Sequence, residues 1–373
     1  MQLRELDYDL PEELIAQQPA PRRDRSRLLV LDRASGVCMH ETFDRLPQLI
    51  PTGSLLVLND TRVLPARLPM RRASGGRVEG LFLREPRPGQ WELMLTGSAR
   101  LKLNEQLRII DSDQQIKLLE RLEGGVWLAT PLPPGKTQTI LDAHGRAPLP
   151  PYIKRPVPAA REGGHSGESN SATEQPSDAA TEEKADSLPA DDHNRYQTVY
   201  ARAPGAIAAP TAGLHFTPEL LQALADAGME TTFVTLHVGV GTFAPIRCDD
   251  LADHQMHAEW FECSEESAHA INRAREQGRP VVAVGTTSVR VLESCADENG
   301  RVRAGRGETR IFIYPPYRFR AVDKLITNFH LPGSTLLALI FALAGRERIL
   351  AAYAEAIRHA YRFYSYGDAM LIA

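Results

Sequence analysis

With 373 residues the chain is longer than one ordinary domain, and 43% hydrophobic residues suffice for a buried core, which excludes a disordered or fibrous protein. Its 43 Lys and Arg against 47 Asp and Glu leave a net charge of -4, which excludes strong nonspecific attraction to nucleic acid or an anionic membrane. Four cysteines without a C-x-x-C pair exclude a disulfide framework and a cysteine-rich zinc module. The longest apolar run, residues 336–344, falls well short of the ~20 residues of a membrane helix, so a soluble, unexported, cytoplasmic protein is expected.

Residues 55–58 form an apolar run ending in Asn59-Asp60, the pattern of a buried strand. Short apolar runs follow at 81–83, 91–95, 107–110 and 126–129, separated by Gly, Pro, Asn or Asp, and strands at this spacing predict a small β-barrel over residues 66–151. Between residues 157 and 193, nine acids stand against Arg161 and Lys184, a local charge of -7, so the rest of the chain carries +3. Without an aromatic residue this segment cannot offset its ordering entropy by burial, and a disordered acidic loop, dispensable for chemistry, is expected.

Beyond it, strands alternate with helices. Thr217 caps a helix with Pro218 in its first turn and Gly228 past its end, and a strand follows at 231–238. Ser264 caps a second helix with Gly278 as its stop, and the strand 281–284 follows. Residues 334–363 read as helical with a break at Gly345. The expected fold class is therefore α/β: a mixed-sheet main domain formed by residues 1–65 and 152–373, with the barrel of residues 66–151 inserted.

Four segments carry chemistry. Gly285-Thr-Thr-Ser-Val-Arg290 follows a strand and starts a helix, so free N–H groups, Thr286, Thr287, Ser288 and Arg290 suit a carboxylate or phosphate. Hydroxyls that merely cap the helix are an equal reading. A P-loop is excluded, because no Gly-Lys-Ser/Thr is present. Gly239-Val-Gly-Thr-Phe-Ala244 matches the dinucleotide fingerprint, but Pro245 stands where the crossover helix should run, and the match is rejected. His254, His257 and Glu259 share no single face as helix or strand, which favours hydrogen bonding or proton transfer over a metal. His215, His237 and His330 each stand near Gly or Pro at expected strand ends, where loops gather in one crevice.

Together and in order, these segments resemble the S-adenosylmethionine:tRNA ribosyltransferase-isomerase family of queuosine biosynthesis. The resemblance rests on Leu58-Asn-Asp-Thr-Arg-Val63, Pro65-Ala-Arg67, Pro148-Leu-Pro-Pro-Tyr-Ile153, Tyr196-Gln-Thr-Val-Tyr-Ala201, Pro210-Thr-Ala-Gly-Leu-His-Phe216, Gly285-Thr-Thr-Ser-Val-Arg290, Ile326-Thr-Asn-Phe-His-Leu-Pro332 and Tyr364-Ser-Tyr-Gly-Asp368, and covers nearly the whole chain apart from the acidic loop. Two departures are Pro316, where glycine is expected, and Asn104 at a turn glycine, a milder change because Asn tolerates the left-handed region.

The resemblance implies transfer and isomerisation of the ribosyl part of S-adenosylmethionine onto 7-aminomethyl-7-deazaguanine at the tRNA wobble position, with release of adenine and methionine. It implies a monomer with S-adenosylmethionine as co-substrate, tRNA as partner, and neither prosthetic group nor metal. Thr286, Thr287, Ser288 and Arg290 would hold the methionine carboxylate or a phosphate, Tyr364 and Tyr366 would face the sulfonium, and Arg62 and Arg67 would meet RNA. The catalytic candidates are Asp60, His215, His237, His257, Glu259, His330 and Asp368, unranked because the choice depends on distances. Arg290→Leu is expected to spare the fold. The rival readings are an S-adenosylmethionine-dependent RNA methyltransferase and a noncatalytic tRNA-binding adaptor.

Overall fold

The computed structural model describes residues 1–155, 188–239, 241 and 246–373. The chain opens with strands β1 (Arg27–Leu31) and β2 (Cys38–Thr42), the short helix α1 (Leu46–Leu49), β3 (Leu55–Asn59) and β4 (Thr61–Val63). Six strands follow, β5 (Arg67–Arg72), β6 (Arg77–Arg87), β7 (Gln90–Leu95), β8 (Gln106–Ile109), β9 (Gln115–Arg121) and β10 (Val126–Leu132), and then α2 (Thr137–His144). These six strands close into an antiparallel barrel in the order β10-β7-β6-β5-β8-β9. Alternation builds its core: along β7, Trp91, Leu93 and Leu95 turn inward while Met94 faces solvent.

The second half runs α3 (Leu188–Arg195), β11 (Ala203–Ala206), α4 (Pro218–Asp226), β12 (Glu230–Leu236), β13 (Glu259–Cys263), α5 (Glu265–Glu276), β14 (Val281–Val284) and α6 (Thr286–Cys295). It continues with β15 (Gly305–Thr309), β16 (Lys324–Asn328), α7 (Thr335–Ala344), α8 (Arg346–Arg358) and β17 (Ala369–Ile372). Nine strands make the main sheet, in the order β15-β13-β12-β3-β14-β16-β17-β1-β2. The central pairs β12–β3, β3–β14 and β14–β16 are parallel, whereas β17 runs antiparallel to β16 and parallel to β1.

Both faces of this sheet are covered, which explains the unbroken apolar runs of its central strands. Leu55 and Val57 of β3 join one core with residues of α5 to α8; Leu56 and Leu58 join the other, with Leu220 and Leu224 of α4. The fold is the expected mixed-sheet α/β architecture with an inserted barrel. Thr217 Oγ1 accepts from Leu220 N at 3.1 Å and Ser264 Oγ from Ser267 N at 3.1 Å, as the caps predicted. The break between α7 and α8 falls at Gly345, whose φ is 87°, and Asn104 takes the left-handed conformation at φ 61°.

One expectation needs correction. Most of the acidic segment lies outside the described residues, but its end is ordered: residues 188–195 form α3, and Asp192 pairs with Arg155 at 2.7 Å. A charge count over the segment misses such a bond, because its partner precedes the acidic run.

Candidate active site

The carboxyl ends of β12, β14 and β16 lead into one crevice, the place where open α/β sheets bind ligands. Its walls are Tyr196, residues 208–212, Val238, the start of α6, Thr327, Asn328 and His330, and Tyr364 with Ser365. Five of the sequence motifs, spread over residues 196 to 365, thus share one cavity.

Helix α6 begins at Gly285, whose φ of 85° is one that L side chains rarely adopt. No side chain caps it. Ser288 Oγ donates to Val284 O at 2.8 Å instead, and Thr287 Oγ1 is buried with no partner among the described residues, so neither hydroxyl is a cap. Arg290, one turn on and 5% exposed, ion-pairs through Nη1 with the equally buried Glu259. Its Nε and Nη2 are buried with no partner among the described residues. Buried donors left open on a lining side chain mark a site for an acceptor. Glu259 is in turn fixed by Gly239 N–H at 2.8 Å.

His330 lines the crevice and His215 lies behind the lining residue Asn328, both buried. His215 stacks on Phe43 at 5.0 Å between centroids, with Nδ1 2.7 Å from Ser26 Oγ and Nε2 3.3 Å from Asn328 Nδ2. Asn328 Nδ2 also donates to Tyr364 O at 3.0 Å, which fixes the amide and makes His215 Nε2 an acceptor and Nδ1–H the donor to Ser26. Burial pushes the His215 imidazole down to about 4, with Asp368 opposing, and the His330 imidazole down to about 3. Both are neutral at physiological pH. Tyr364 holds φ 74°, a strained value for a non-glycine residue, and its ring lies 4.0 Å from that of Tyr152.

Other sequence candidates lie elsewhere. Asp60 accepts from Thr235 Oγ1 at 2.6 Å and pairs with Arg202 at 3.0 Å, while His237 Nδ1 meets Thr61 Oγ1 at 2.8 Å and its ring stacks on Trp260 at 4.8 Å. These two form a neighbouring polar cluster outside the crevice lining, where burial lowers the His237 pKa against the pull of Asp60. Asp368 is a tether: its carboxylate accepts from Arg27 N at 3.0 Å, Arg27 Nε at 3.2 Å and Arg362 N at 2.8 Å. His257 is exposed. Arg62 is exposed too, and Arg67 pairs with Glu79 at 3.0 Å. Tyr366 turns its hydroxyl to Asp192 at 3.4 Å, outside the lining.

The lining also holds residues that the candidate list lacks: Asn328, Thr327, Tyr196 and Ser365. Each stands inside one of the motifs that carry the resemblance.

The fold and crevice define an α/β protein with an inserted barrel and a ligand site at the carboxyl edge of its parallel strands. The model of the queuosine biosynthesis protein family matches residues 3–372. The chain is 46% identical to the S-adenosylmethionine:tRNA ribosyltransferase-isomerase of Pelobacter propionicus and 43% identical to that of Caldanaerobacter subterraneus, each over 100% of both chains. The crystal structure of S-adenosylmethionine tRNA ribosyltransferase from Thermotoga maritima, 33% identical, superimposes with a TM-score of 0.53 over 99% of this chain and 100% of that one. This chain belongs to the queuosine biosynthesis protein family.

Proposed function

We propose that this chain is an S-adenosylmethionine:tRNA ribosyltransferase-isomerase. It moves the ribosyl part of S-adenosylmethionine to 7-aminomethyl-7-deazaguanine at the tRNA wobble position, rearranges it to an epoxycyclopentane, and releases adenine and methionine. The observation that carries the reading at the site is the gathering of Arg290, Thr287, Asn328, His330 and Tyr364 in one crevice with buried donors and acceptors unpaired.

The roles follow from charge. The unpartnered Nε and Nη2 of Arg290, with the uncapped N–H groups of α6, receive the methionine carboxylate. Glu259 balances the guanidinium, and His215 and His330 stay neutral, so little positive charge opposes the incoming sulfonium. The Tyr364 ring faces that sulfonium through its electron-rich surface. The carbon beside the sulfonium must lose a proton and adenine must gain hydrogen bonding as it leaves. Asn328 Oδ1, buried and unpaired, is an acceptor ready for a base N–H.

A cytoplasmic monomer with no prosthetic group belongs to the same proposal. No helix among the described residues is long and apolar enough to cross a membrane. Incubation with S-adenosylmethionine and tRNA carrying the modified base tests the reading. Adenine and methionine in equal amounts are expected; S-adenosylhomocysteine would assign a methyltransferase, and binding without turnover an adaptor.

A further inference from the structure

Outside the crevice, strand β2 and helix α8 bring together His40, Glu355 and His359. They are the one group among the described residues in which three metal-ligating side chains converge, with ligand atoms all within 4.8 Å of one another. We infer that these three residues form a binding site for a single zinc-class divalent ion, separate from the transfer reaction.

The geometry is that of ligands awaiting an ion. His40 Nε2 lies 3.2 Å and His359 Nε2 3.0 Å from the same oxygen, Glu355 Oε1. Ligands about 2.0–2.1 Å from a tetrahedral zinc stand about 3.3 Å apart, so two edges of the tetrahedron are already close to length. Only the edge between the histidines has to adjust, and side-chain rotation achieves that because both rings are on the surface, with centroids 4.4 Å apart. Glu355 in the last turn of α8 and His359, the residue that ends the helix four positions on, bring their ligand atoms within 3.0 Å of each other.

The surroundings favour the same role. His40 Nδ1 sits 3.0 Å from the Tyr361 hydroxyl, the outer partner that orients a ligating imidazole and leaves Nε2 to the metal. Arg358 occupies the other carboxylate oxygen, Glu355 Oε2, which leaves Oε1 as a one-oxygen ligand. Two imidazole nitrogens and one carboxylate oxygen are the donor set that a zinc-class divalent ion takes, and Arg358 on the far oxygen orients the carboxylate. With His40 36% and His359 52% exposed, an ion can enter and water can complete its shell, as in open zinc sites built from a pair of histidines and one carboxylate. Hard cations that want six oxygens are poorly served by this nitrogen-rich set.

Cobalt and zinc titrations of the untagged full chain test the site. One Co2+ per chain is expected, with the visible bands of a tetrahedral nitrogen and oxygen shell, displaced by Zn2+. His40→Ala, His359→Ala and Glu355→Gln should each weaken Zn2+ at least tenfold. Unchanged affinity in all three, or an ultraviolet thiolate-to-cobalt band pointing to the free cysteines, would overturn the inference. Should a variant fail to fold, carbethoxylation of the wild-type chain decides: Zn2+ should shield His40 and His359 while other exposed histidines react, and equal reaction with and without the ion would sink the site.

Discussion

In the barrel, apolar residues turn inward and the charged residues of the same strands pair on the outside. Arg72 meets Glu105 at 2.6 Å and Arg84 meets Glu92 at 2.8 Å, while Trp91, Leu93 and Trp127 fill the interior. The Trp91 indole finds a partner in Thr137 Oγ1 at 2.8 Å, and Trp127 Nε1 is the barrel's one buried side-chain polar atom without a partner among the described residues. The crevice region is far less satisfied. A charged pair, two histidines and an asparagine are taken out of water there, and four atoms of Arg290, Thr287 and Asn328 have no partner among the described residues. Such atoms cost stability where they stand, so their clustering at one sheet edge separates a surface made to hold a ligand from a scaffold made to hold itself.

The sharpest way to break this contrast is Arg290→Leu. The sequence alone suggested that the fold would survive it; the structure revises that, because the change takes the buried counter-ion away from Glu259. A loss of about 3–5 kcal/mol is expected in urea unfolding. Adding Glu259→Leu should recover much of the stability without recovering adenine release. Recovery of turnover in the double variant would remove Arg290 from substrate binding.

Leu93→Ala, in the barrel, should cost about 2–5 kcal/mol through the cavity it leaves, with the Michaelis constant for S-adenosylmethionine unchanged per folded molecule. A shifted Michaelis constant would mean that the barrel shapes the crevice.

Acid should act through the crevice and spare the barrel core. Unfolded histidine binds a proton near 6.5, whereas burial pushes folded His215 down to about 4. Between these values the unfolded chain takes up a proton that the folded one refuses, so stability should fall as pH drops from about 6.5 to about 4, by about 1.4 kcal/mol per pH unit. His330, pushed down to about 3, adds a similar slope. Urea unfolding at pH 7 and pH 5 measures the sum, and a flat profile would show that neither histidine is buried neutral. Thr217→Ala should do least, about 1 kcal/mol of stability from the lost cap on α4, with kinetics untouched.

What could be read in the sequence follows the range of the forces involved. Helices α4 and α5 were legible because Thr217 and Ser264 act within three residues, and β3 and β14 because strands buried on both faces need unbroken apolar runs. β5, with Pro69 and three arginines, and β9, with Lys117, Glu120 and Arg121 among its seven residues, gave no such signal until their barrel partners were known. At the site, the motifs named the right segments, but roles depend on partners far along the chain. Asp368 looks like an acid–base group and is instead tied to Arg27, 341 residues away. Glu259, read in the sequence as a hydrogen-bonding or proton-transfer group, is paired with Arg290. Asn328 was passed over because an amide has no charge to notice, although its fixed orientation sets the tautomer of His215.

The pairing of β1 with β17 has a consequence for synthesis. Leu28 lies beside Ala369, and β17 stands between β16 and β1 in the interior of the sheet. A ribosome must therefore translate past residue 372 before β1, paired until then with β2 alone, can find its second neighbour, and until then β1 and β16 each expose one unpaired edge. Residues 66–132, whose strands pair only with one another, can close their barrel long before. The same late segment delivers Tyr364 and Ser365 to the crevice, so a nascent chain can own a finished barrel and no binding site at all.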